Sequence, residues 1–217
     1  MFGWVTSGPD AVRSGRAKAQ YEDPVLNGAG CGLIEGTTVA TQDGWRAVET
    51  LRKGESLLTF DGGAQQVIAV IRDQIWGGIG VCPKHLWPLH VPQGVIGNGR
   101  EMLVMPHQGV LIESDEILDQ WGDPFAVIPA AALEVLDGVE RQEPYGTVEV
   151  VLPIFEEDQM IFTDQGALSF CQAHWGVSVG YIPKHGAAHN YNMLPLTVAA
   201  RLLEESYMPD NVDYGMA

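Results

Sequence analysis

Residues 31–63 read CGLIEGTTVATQDGWRAVETLRKGESLLTFDGG, and this stretch decides the fold. Thr and Val alternate with smaller residues over 37–41. Asp43-Gly44 follows, a pair suited to the positive φ of a tight hairpin, and then a second short strand at 45–48. A third strand at 56–60 is closed by Asp61-Gly62-Gly63. Strands this short, separated by glycine turns, form hairpins and not βαβ units.

The same rhythm continues outward. QVIAVIR at 66–72 predicts a longer β-branched strand reaching towards Ile75 and Trp76. Shorter strands are expected at 89–91, 103–105, 110–112, 125–128, 148–152 and 160–163, with one helical turn at 129–133. Residues 1–30 are rich in Gly and small polar residues and read as an arm or linker without a core. Residues 172–193 are loop-like. Residues 194–207, LPLTVAARLLEESY, form the best helix in the chain, with Leu196, Ala199, Ala200, Leu202 and Leu203 on one face. Pro209 stops it. The expected organisation is an arm at 1–30, a mostly β domain at 31–171, and a loop-and-helix extension at 172–217 that packs back on the domain or meets a neighbour.

Composition narrows the function. The net charge of −16 lies wholly in residues 101–217, which carry 19 acidic against three basic residues. Such a surface repels phosphate backbones, so nucleic acid is not expected as a partner. No run approaches the ~18 apolar residues of a membrane helix, and the first twenty residues lack a continuous apolar signal core. Cytoplasmic synthesis is the starting expectation, with non-classical export or incorporation into a surface assembly left open. Three cysteines, Cys31, Cys82 and Cys171, cannot all pair, and Cys82 and Cys171 read as buried, inert thiols. The six histidines match no ligand motif, although His185 and His189 stand four apart. No metal or cofactor is expected.

Residues 31–63 resemble the opening of bacterial Hint domains, the fold shared by inteins and Hedgehog autoprocessing domains. The resemblance continues in order through PLHVPQGVIG at 88–97, LVMPHQGVLI at 103–112, IPAAAL at 128–133 and IFTDQGALSF at 161–170. It implies a compact β wrap of many short strands, followed here by a helical appendage. It also implies a chemistry. The first cysteine of the family attacks the preceding carbonyl in an N-to-S acyl shift, and a histidine protonates the departing amide nitrogen. Here that assigns Cys31 as nucleophile, the Gly30 carbonyl as its target and His107 as acid.

This chain departs from the family pattern where that chemistry is carried. The family's Ser/Thr-x-x-His block reads Met105-Pro106-His107-Gln108, so Gln108 holds the histidine place. On a strand, His107 would face away from that place. A second family histidine falls here on Asp158 or Gln159. The closing His-Asn aligns near Phe170-Cys171, where it is absent; His189-Asn190 lies later, in a loop context. The sequence therefore points to a catalytically degenerate Hint-type module with a structural or binding role, its partner a protein or a second copy of itself. The alternative is self-cleavage at Gly30-Cys31 by Cys31, His107 and Asp158.

Overall fold

In the computed structural model, residues 31–114, 124–171, 173, 191 and 193–207 are described. The arm at 1–30, Gly30 included, and the loop with His174, His185, His189 and Asn190 lie outside them. A hairpin of β2 (Thr38–Thr41) and β3 (Gly44–Ala47) opens the main sheet. Its loop is Gln42-Asp43, with Thr41 paired to Gly44. Thr41 closes the turn, its hydroxyl donating to the Gly44 carbonyl at 2.7 Å and accepting from the Asp43 N–H. β4 (Ser56–Thr59) and β5 (Gly63–Gln66) form a second hairpin around Asp61-Gly62, again fastened by a threonine hydroxyl, that of Thr59.

The strand expected at 66–72 is in fact divided. Gln66 ends β5, and β6 begins at Ala69 and runs to Gly77. Between them Val67 hydrogen-bonds to Gly54 and Glu55, while Ile68 donates to Ile154. Val67 is thereby fully buried among Leu51, Leu57 and Phe155. The continuous apolar run thus conceals a corner at which the chain changes sheets.

β6 pairs with β12 (Thr147–Ile154), and β12 also pairs with the two-residue β1 (Leu33–Ile34). A small sheet joins β7 (Leu89–Val91), β8 (Met102–Val104) and β11 (Glu140–Arg141). The eight-stranded sheet runs β10 (Phe125–Pro129), β9 (Gly109–Glu113), β14 (Ala167–Cys171), β13 (Gln159–Thr163), β2, β4, β5, with β3 on β2. Every pairing between these strands is antiparallel. This mostly β wrap is the architecture the sequence led us to expect.

The turn between β13 and β14 fixes the middle of the main sheet. Asp164 and Gln165 both have positive φ, at 42° and 65°. Gly166 follows with φ 152°, and any Cβ there would run into the Gly97 carbonyl. Asp164 is 2% exposed and accepts from the Thr38 N–H at 3.0 Å, the Thr38 hydroxyl at 3.2 Å and the Arg100 Nε at 3.0 Å. One carboxylate thus ties β2, the β13–β14 turn and the 97–100 loop together.

The helix α1 (Leu196–Tyr207) begins two residues later than expected. Leu194 precedes a proline and is driven out of helical geometry, and Pro195 supplies the first carbonyl to Val198 and Ala199. Ala199, Leu202 and Leu203 are buried against Ala130, Ala132 and Leu133 of a 3₁₀ helix. The small alanines let the two elements approach closely, and burying the two leucines contributes up to about 3–6 kcal/mol. Leu196 is not on this seam but faces solvent with Val198. The helix therefore covers the domain's own core. Among the described residues no helix is long and apolar enough to cross a membrane.

Candidate functional site

Three pieces of chain distant in sequence meet at Cys31: the residues entering β1, the turn before β9, and the end of β14. Gly32 has φ 111°, and a Cβ on it would stand 2.9 Å from the Val150 Cβ. Only glycine lets the chain pass β12 this closely with its N–H turned inward. That N–H donates to Gln108 Oε1 at 3.0 Å. Residues 105–108 form a turn, with the Gln108 N–H donating to the Met105 carbonyl at 2.9 Å. The two-face alternation of a strand therefore does not govern His107, which corrects the strand reading. His107 sits on the wall of the Cys31 cavity, and its carbonyl accepts the Cys31 S–H at 3.1 Å.

The cavity, about 50 Å³, is lined by Cys31, His107 and Gln108 together with Pro153, Phe170, Cys171 and Met193 among others. Its walls are largely apolar, and that sets the electrostatics. Burial pushes the Cys31 thiol up to about 11 from 9.0, because a thiolate there would lose its hydration. Cys171 is pushed higher still, first by burial and then by the nearby charge of Asp158. Both thiols are held protonated at neutral pH. All three cysteines are free, and Cys82 and Cys171 are buried as expected. Cys171 was not expected to share a cavity with Cys31.

Gln108 is the residue whose role the sequence did not reveal. Its Nε2 donates to the Phe170 carbonyl at 2.8 Å and to the Gly109 carbonyl at 3.0 Å, while its Oε1 takes the Gly32 N–H. Both amide hydrogens are committed, and a carboxamide has no proton to release near neutral pH. It occupies the family's acid position as a brace between β1 and β14. Gln108→Leu should leave a buried N–H and buried carbonyls unpartnered and lower stability by about 2–4 kcal/mol, read from urea unfolding. Gln108→Glu should be similarly weakened at neutral pH, because a carboxylate would face two carbonyl oxygens, and should recover in acid as it protonates. Equal stability of Gln108→Leu and the parent would refute the bracing role.

Asp158 does not join this cavity. It is buried next to Gln159, the partner of Cys171 in the β13–β14 pairing, and its Oδ1 accepts the Ala173 N–H at 2.7 Å. Met105, in the family's hydroxyl position, is fully buried with Val148 and Val150. Cys31 and His107 are thus brought together, Asp158 lies off the cavity wall while its charge acts on Cys171, and Gly30 lies outside the described residues. Among the described residues no group of three or more His, Cys, Asp or Glu side chains could hold a metal ion.

A family model described as "Hint domain" matches residues 31–170. A bacterial intein-like domain from Clostridium thermocellum, known from its solution structure, is 13% identical with a TM-score of 0.43, over 64% of this chain and 97% of that one. A splice-inactive variant of the AceL NrdHF class 3 split intein is 14% identical with a TM-score of 0.32, over 65% and 97%. No curated protein sequence matches the chain.

Proposed function

This chain belongs to the Hint domain family, and from that premise we propose that it is a non-cleaving member, retained as a structural or binding module of a larger assembly. The observation that carries this reading is the state of Cys31. Its proton is donated to the His107 carbonyl, and burial holds its pKa near 11. Acyl shift needs a thiolate and a proton donor for the amide nitrogen. The pocket opposes the first, and Gln108 has replaced the second. A protein partner or a second copy of the chain is the natural ligand of such a module.

The second reading is self-cleavage, favoured by Cys31 and His107 sharing one cavity. There Cys31 Sγ attacks the Gly30 carbonyl, the Gly30–Cys31 C–N bond breaks, and the nitrogen takes a proton from His107. Water or an added thiol then releases the acyl group. Intact mass spectrometry decides between the two. After overnight incubation with dithiothreitol or hydroxylamine, the expected result is a single full-length species for the parent and for Cys31→Ala alike. A fragment beginning at Cys31, absent from Cys31→Ala, would establish cleavage and end the scaffold proposal.

A further inference from the structure

Between the β4–β5 turn and the loop joining β12 to β13 lies a second cavity, of about 250 Å³, that shares no lining residue with the Cys31 cavity. Asp61, Gly62, Gln65, Glu156, Glu157, Asp158 and Gln159 line it. Four of the seven are carboxylates and none is basic. Glu156 and Glu157 project from the rim, exposed, and neither is paired with a Lys or Arg among the described residues. Asp61 accepts the Tyr191 hydroxyl, which sets a phenol ring near the edge.

Acidic residues alone are ordinary on a chain with this charge. What distinguishes this cavity is Gln159, which is 7% exposed and whose buried Oε1 has no hydrogen-bond partner. Gln159 lines the cavity, and that oxygen lies beside Gly62, 3.2 Å from where a Cβ would stand. A buried carbonyl oxygen without a donor is costly, and native folds rarely keep one. It needs an N–H, and the surrounding charge selects a cation to bring it. A metal ion is a poor candidate, because among the described residues no three carboxylates converge to hold one. A guanidinium suits the site. Its planar fork offers several donors at once, so one can reach an amide oxygen while others meet carboxylates and its face lies against an aromatic ring.

We propose that the cavity between Asp61 and Gln159 binds an arginine side chain presented by a partner peptide. The site does not depend on the fate of Cys31 and stands under either reading of it. Binding is tested with N-acetyl-arginine amide titrated into the full chain, followed by backbone and side-chain amide NMR. The expected shifts are confined to residues 61–65 and 156–160 and include the Gln159 carboxamide. Glu156→Gln/Glu157→Gln, on the exposed rim, should weaken binding roughly tenfold, and Gln159→Leu should do the same through loss of a charge-assisted hydrogen bond. N-acetyl-lysine amide should bind several-fold more weakly. Shifts spread over the whole acidic surface, equal binding of the lysine probe, or affinity unchanged in the rim double variant would each overturn the proposal. Tighter binding of calcium chloride alone at the same residues would replace it with a metal site.

Discussion

Iodoacetamide is expected to alkylate Cys31 in the folded chain at pH 8 between about tenfold and about 100-fold more slowly than in urea. The reason is the proton balance of the thiol. Burial raises its pKa from 9.0 to about 11, so at pH 8 only about one molecule in a thousand carries the reactive thiolate. The two-unit rise alone gives the larger figure; the greater nucleophilicity of a more basic thiolate offsets part of it. Peptide mapping separates Cys31 from Cys82 and Cys171. In the folded chain the rate should climb about tenfold per pH unit from 7 to 10 without levelling, whereas in urea it should level near 9. The sign for stability follows. Between pH 9 and 11 the unfolded chain has released a proton that the fold retains, so stability falls as pH rises through that window. A folded-state rate that levels off below pH 8 would reveal a stabilised thiolate and favour self-cleavage.

Asp164→Ala is expected to lower stability by about 3 kcal/mol and the Tm by roughly 6–12 °C. The buried carboxylate accepts the Thr38 N–H and hydroxyl and pairs with Arg100, which also donates to the Gly36 carbonyl at 3.2 Å. Removing it strands a half-buried backbone N–H and leaves a guanidinium without its counter-charge. Alanine is also strained at the φ of 42° found there. Asp164→Asn keeps one acceptor oxygen and tolerates that backbone, so about half the loss should return. Differential scanning calorimetry of the two variants is sufficient, and an unchanged Asp164→Ala transition would show that the three segments are held by other means.

Both expectations rest on contacts that differ in how far the sequence foretold them. The hairpin at 38–47 and the strand and turn at 56–62 were readable because β-branched residues and glycine turns act locally, whereas β5, GAQQ, carries no β-branched residue to mark it. β14 was hidden, since its inward residues are Ala167, Ser169 and Cys171 while Leu168 and Phe170 occupy the half-buried face. A rule that places apolar residues inward reads such a strand upside down or misses it. The corner at Val67-Ile68 was hidden for the opposite reason, being apolar on both sides. At the site, the resemblance set Gln108 at the histidine place, but nothing in the sequence told what Gln108 does there. Gln108 bonds to Gly32 and Phe170, 76 and 62 residues away, and no local pattern encodes partners that remote. The cavity at Gln159 depends likewise on two turns that meet only after folding.

The Gln108 brace has a topological consequence. Gly32, just after the chain enters the fold, and Phe170, at the close of its last strand, are both bonded to one carboxamide. The two ends of the β wrap are thereby held within the reach of a single side chain, and the chain runs on beyond them to the helix that covers the core. Gln108 is the latch that keeps the first and last strands of the wrap closed on each other.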